Sequence, residues 1–100
     1  DMAKGCLHLL ALPEEKFAQL IKLQPTIINL GTGQDVTIRE LAETVREVVG
    51  FAGEIIFDSD KPDGTPQKLL DISRITELGW KPEITLQTGI AGTYEWFRQA

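Results

Sequence analysis

Apolar residues along the chain fall into helical and strand-like stretches separated by glycine and proline. Residues 2 to 12 follow a helical period. Met2, Cys6, Leu9 and Leu10 share one face, Leu7, Ala11 and Leu12 widen it, and Asp1 is placed to cap it. Pro13 stops that helix and opens a second over 14 to 23, where Glu14 and Glu15 suit the first turn and Phe17, Leu20 and Ile21 point inward. Thr26-Ile27-Ile28-Asn29-Leu30, between Pro25 and Gly31, is β-branched and apolar and reads as a buried strand. Thr37 and Glu40 form the capping box of a helix whose apolar face is Ile38, Leu41, Val45, Val48 and Val49, and Gly50 stops it. A second strand is predicted over 54 to 57 and a short helix ending near Leu78, with Gly79 as its stop. Thr85 caps a last helix over 86 to 98, with Ile90, Tyr94 and Phe97 at helical spacing. The order is α/β: two leading helices, then strand, helix, strand, loop, helix, helix. The small sheet is open to completion by another domain.

One hundred residues, 42% of them hydrophobic, suffice for one core and one domain, 1 to 100. A net charge of -5 argues against nucleic-acid binding, which needs a basic face. The ten Lys and Arg are dispersed, which excludes a basic membrane-binding stripe. No apolar run reaches the ~18 residues of a membrane span and no signal peptide is visible, so a cytoplasmic setting is the default expectation. One cysteine, Cys6, and one histidine, His8, exclude an internal disulfide framework and a zinc set. Cys6 lies in an apolar stretch and is expected to be a buried, inert thiol. The chain opens on Asp1-Met2-Ala3, already helix-like, which gives it the look of an excised piece.

Chemistry-bearing motifs are few. Gly31-Thr32-Gly33 follows a strand and precedes a helix, as a dinucleotide-binding turn does, but the third glycine of that fingerprint is replaced by Val36. A turn that needs positive dihedrals is the better reading. A short-chain dehydrogenase tyrosine needs a lysine four residues on, and Tyr94 is followed there by Arg98. Asp58 and Asp60 read as a solvated loop edge, and the Glu14-Glu15 and Glu43-Glu47 pairs as solvated helix faces. Trp80 and Trp96 are expected to pack.

The run Lys61-Pro62-Asp63-Gly64-Thr65-Pro66-Gln67-Lys68-Leu69-Leu70-Asp71 stands apart. Two prolines and a glycine within five residues forbid a helix and stiffen the loop. Two lysines bracket the turn, and Leu69-Leu70 can anchor the segment after it, so that the Lys68 ammonium reaches outward as a point charge. Such a loop is either a solvated connector or a grip for an anion such as a pyrophosphate.

Asn29-Leu30-Gly31-Thr32-Gly33, Thr37-Ile38-Arg39-Glu40-Leu41-Ala42, Phe57-Asp58, Lys61-Pro62-Asp63-Gly64-Thr65-Pro66, Lys68-Leu69-Leu70-Asp71 and Leu78-Gly79-Trp80 form an ordered series. Over essentially the whole chain it resembles the C-terminal part of the GDP-L-fucose synthase family, epimerase–reductases of the extended short-chain dehydrogenase class. The Gly-Thr-Gly and Leu-Gly-Trp elements are widespread among nucleotide-sugar epimerases, and the Lys-Pro-Asp-Gly-Thr-Pro loop is much narrower. The resemblance implies a C-terminal substrate-binding domain, inactive alone, that closes over a GDP-sugar. It implies that an N-terminal Rossmann domain of the same chain holds NADP, that the whole enzyme is a homodimer, and that the catalytic residues lie upstream. Cys6 and His8 are not the family's acid–base pair, and no catalytic, cofactor or metal residue is expected within 1 to 100. Lys68 matches a lysine that contacts the substrate's phosphates, and Asp63, Gly64 and Thr65 match the part that shapes the loop. Gln67 stands where the family commonly has arginine, which leaves Lys68 as the ionic contact. Another nucleotide-sugar epimerase or reductase, or a free-standing interaction or nucleotide-binding module, are the alternatives.

Overall fold

The computed structural model describes all 100 residues, Asp1–Ala100. Five helices form, α1 (Met2–Leu10), α2 (Glu14–Leu20), α3 (Ile38–Val49), α4 (Ser73–Glu77) and α5 (Leu86–Gln99), and there is no strand. The chain divides into two units, Asp1–Gln34 with Leu69–Glu83 and Asp35–Lys68 with Ile84–Ala100. None of the helices is long and apolar enough to cross a membrane.

The expected sheet is therefore corrected: residues 26–30 and 54–57 are not strands. A strand persists only when a neighbour takes up its N–H and C=O groups. The two runs belong to different units, so neither has the other as a partner within its own. In the first unit, side chains replace part of the missing ladder. Arg74 Nη1 donates to the carbonyls of Pro25 and Ile27, each at 2.7 Å, and Asn29 Nδ2 donates to the Asp71 carbonyl at 3.1 Å.

The first unit is built around α4. Ile75 is fully buried and Trp80 is 9% exposed, as expected for a packing residue. α1 reaches Trp80 through a glycine: a Cβ on Gly5 would lie 2.7 Å from Leu30 Cδ2 and 3.3 Å from Trp80 Cε2. This notch, rather than the size of the apolar side chains, selects the inward face. Gly5, His8, Leu9 and Leu12 are buried or half-buried, whereas Met2, Cys6 and Leu10 are exposed, Leu10 to 84%. Cys6 is therefore not the buried thiol its neighbours suggest. In α2 only Leu20 of the expected inward trio is half-buried, and Phe17 and Ile21 are exposed. His8 Nε2 donates to the Leu78 carbonyl at 2.8 Å, and Lys4 pairs with Glu83, holding that carboxyl below its ordinary value.

In the second unit α3 packs on α5. The capping box forms as expected. The Thr37 hydroxyl accepts from the Glu40 amide at 3.1 Å, and the Glu40 carboxylate accepts from the Thr37 amide at 2.7 Å. Gly50 ends α3 in the left-handed conformation, and Thr85 caps α5 by accepting from the Thr88 amide. No side chain of this unit is buried. Ile90 and Tyr94 are half-buried, Phe97 is exposed, and Trp96, expected to pack, is 70% exposed. In the 54–57 run Ile55 is half-buried, and the Arg39 guanidinium lies 4.3 Å from the centre of the Phe57 ring.

Candidate substrate-binding loop

The loop starts from a turn built by Asp58, whose carboxylate accepts from the Asp60 amide at 3.0 Å and whose carbonyl accepts from the Lys61 amide at 3.3 Å. Asp58 thus serves the backbone, as a solvated loop edge would. Residues 61–68 are exposed throughout. Asp63, Gly64, Thr65 and Lys68 all belong to the second unit, with Lys68 its last residue before the chain passes to the first. No carboxylate of the chain pairs with Lys68. Gly64 does not have positive φ, and a Cβ there would meet nothing within 4 Å, so the chain's own geometry does not demand glycine at 64. Polyvalent anions are bound through such uncommitted ammonium groups, which are not neutralised in advance by an internal partner.

Beyond Lys68 the chain enters the first unit and is fastened at each step. Leu70 packs against Gly31, where a Cβ would lie 3.5 Å from Leu70 Cδ1. Ile72 packs against Gly33, where a Cβ would lie 2.6 Å from Ile72 Cδ1. Asp71 Oδ1 accepts from the Ser73 hydroxyl at 2.6 Å and the Ser73 amide at 2.9 Å. These two bonds, the hydroxyl's first, hold the Asp71 carboxyl below its ordinary value, with the Arg74 charge adding to them. Asn29 and Arg74 were not singled out from the sequence. The available signal was Asn29 itself, the one amide inside a β-branched, apolar run.

The Gly31-Thr32-Gly33 turn does not fit a dinucleotide. Gly33 has φ +69°, and the space a methyl would occupy is filled by Ile72 rather than left open for a phosphate. The Thr32 hydroxyl is engaged with both the amide and the carbonyl of Gln34. The N-terminus of α3 is closed by its own capping box. Cys6 and His8 lie two positions apart on α1, so they diverge rather than face a common point. No three His, Cys, Asp or Glu side chains are grouped to hold a metal ion.

No family model matches the chain. Individual proteins do. The chain is 50% identical over 97 residues to GDP-L-fucose synthase of Escherichia coli K12, covering 97% of this chain and 30% of that protein. It is 46% identical over 97 residues to GDP-L-fucose synthase 1 of Arabidopsis thaliana, covering 97% and 27%. Among solved structures, a GDP-D-glycero-L-gluco-heptose synthase from Campylobacter jejuni, crystallised in the presence of NADPH, superposes with a TM-score of 0.72 at 44% identity, covering 82% of this chain and 24% of that one. Likeness of this degree in both sequence and backbone defines the class: the chain belongs with the GDP-sugar enzymes of the extended short-chain dehydrogenase/reductase type. It spans about a third or less of the length of these relatives. Within the class, its sequence belongs to the GDP-L-fucose synthase family.

Proposed function

We propose that the chain is the GDP-sugar-binding portion of an NADP-dependent 3,5-epimerase/4-reductase that converts GDP-4-keto-6-deoxy-D-mannose to GDP-L-fucose. The observation that carries this reading is 50% identity across 97 residues to a GDP-L-fucose synthase. The exposed, unpaired Lys68 supports it. In this reading Lys68 offsets the pyrophosphate charge, while Asp63, Gly64 and Thr65 shape the loop in front of it. NADP, which would supply the hydride for the 4-keto reduction, and the proton-transferring groups belong to another portion of a cytoplasmic, full-length enzyme. The residues here hold and orient the substrate.

The test is calorimetry on the full-length enzyme with GDP-sugar and with NADPH. Lys68→Ala removes one charge-assisted contact and should weaken GDP-sugar binding by roughly tenfold to a hundredfold. NADPH affinity should stay unchanged. Equal GDP-sugar affinity in the two proteins would overturn the role of Lys68. A second reading, action on a GDP-heptose, is favoured by the Campylobacter likeness. Product analysis with each keto-sugar as sole substrate separates the two.

A further inference from the structure

We infer that the Asp63–Gly64 junction is a site of spontaneous backbone modification, where the chain closes a succinimide and reopens as an isoaspartyl linkage. Ring closure needs an uncommitted carboxyl group and, on the next residue, an uncommitted and unscreened amide nitrogen. Residues 62–68 make no hydrogen bond and enter no ion pair within the chain, so the Asp63 carboxyl and the Gly64 amide are both uncommitted. Both residues are exposed, glycine has no side chain to screen its nitrogen, and even the place of a Cβ on Gly64 has no neighbour within 4 Å.

Every other junction of this kind lacks one of these conditions. Asp1 Oδ2 accepts from the Glu83 amide at 3.3 Å. Asp35 Oδ1 accepts from the Val36 amide at 3.1 Å, and the branched Val36 side chain crowds that nitrogen. The Asp58 carboxylate is taken by the Asp60 amide, and after Asp60 the Lys61 amide is taken by the Asp58 carbonyl. The Asp71 carboxylate is held twice by Ser73, and the branched Ile72 follows it. Asn29, the sole asparagine, has its side-chain amide on the Asp71 carbonyl and is followed by Leu30.

The reaction needs no partner but water and is independent of what the loop binds. The Gly64 nitrogen attacks Cγ of the protonated Asp63 carboxyl. The N–Cγ bond forms, and the N–H proton leaves with the carboxyl hydroxyl as water. Water adding back at Cγ restores aspartate. Water adding at the Asp63 main-chain carbonyl breaks the original peptide bond, leaves Gly64 joined through Cγ and puts the carboxylate on Cα. Composition and charge are unchanged, but the backbone gains a methylene inside a segment that prolines otherwise hold stiff.

The experiment ages the folded full-length enzyme in heavy-oxygen water at neutral pH, digests it in ordinary water and weighs each aspartate-bearing peptide. An isoaspartyl-specific methyltransferase then reports which labelled peptides carry the rearranged linkage. Heavy oxygen and isoaspartyl should accumulate with time in the Asp63 peptide and stay near background in the others. Gly64→Ala should lose most of the label, because the added methyl crowds the nitrogen while meeting nothing else in the fold. Asp63→Asn should label faster, ammonia being a better leaving group than hydroxide. An unlabelled Asp63 peptide overturns the inference. Equal labelling at the Asp35, Asp58, Asp60 and Asp71 peptides, or label undiminished in Gly64→Ala, overturns it as well, since the junction would then have no special standing.

Discussion

Replacing Gly33 by alanine probes the turn that receives Leu70 and Ile72, and the structure supplies its own control. Gly33 and Gly50 both have φ +69°. A Cβ on Gly33 would lie 2.6 Å from Ile72 Cδ1 and 3.1 Å from Ile72 Cγ1, whereas one on Gly50 would meet nothing within 4 Å. The left-handed backbone disfavours alanine by about 1–2 kcal/mol. Against this, the loss of unfolded-state freedom restores about 0.4–1 kcal/mol. Gly50→Ala should therefore cost about 1 kcal/mol. Gly33→Ala carries the same backbone cost plus an overpacking cost of about 1–3 kcal/mol. The lower half of that range applies, because Cδ1 is the mobile end of Ile72, so the total is about 2–3 kcal/mol. Adding Ile72→Val removes Cδ1. With Gly33 in place it should destabilise by about 0.5–1.5 kcal/mol, and in the Gly33→Ala background it should be neutral or stabilising. Urea unfolding followed by helical circular dichroism, with Trp80 fluorescence reporting on the first unit, measures the parent, the three single variants and the double variant. Equal costs at Gly33 and Gly50, or a valine effect of the same sign in both backgrounds, would refute the argument that Ile72 occupies the space above the turn.

Further outcomes follow from burial and from charge. With Trp80 nearly buried and Trp96 largely exposed, Trp80→Phe should leave a red-shifted emission that acrylamide quenches readily, and Trp96→Phe should leave a blue-shifted, protected one. Similar quenching of the two variants would contradict the packing of α1 on Trp80. The Thr37 amide, then the Thr37 hydroxyl, hold Glu40 below its ordinary value, so its ionised form is favoured in the folded chain. That contribution is present above the unfolded value of about 4.3 and is lost as pH falls through the lower folded value. Glu40→Gln keeps an acceptor for the Thr37 amide but cannot titrate, so its helical signal should fall less on acidification below about pH 4.3 than that of the parent. Superimposable acid titrations would show that the capping box does not depend on the charge.

Local signals were legible and long-range ones were not. The capping box at Thr37 and Glu40, the left-handed stop at Gly50 and the cap at Thr85 each lie within a few residues, and each formed as read. The stiff basic loop was legible for the same reason, since proline acts on its own neighbours. The inward face of α1 was not legible from periodicity. Its apolar residues circle most of the helix, and the choice among faces fell to Gly5, which offers no side chain but permits the closest approach to Leu30 and Trp80.

The two expected strands failed for a different reason. Thr26 to Leu30 is rich in β-branched residues, as a strand should be, but β-branching states only what the backbone tolerates, not which groups will satisfy its carbonyls. Here they are taken by Arg74, 47 and 49 residues away, while Asn29 reaches out to a carbonyl 42 residues away. A guanidinium that bridges two carbonyls can be exchanged for a strand's amides at modest cost, because both options satisfy the same acceptors. A ladder partner supplied by the remainder of a full-length protein would therefore compete with Arg74 for Pro25 and Ile27.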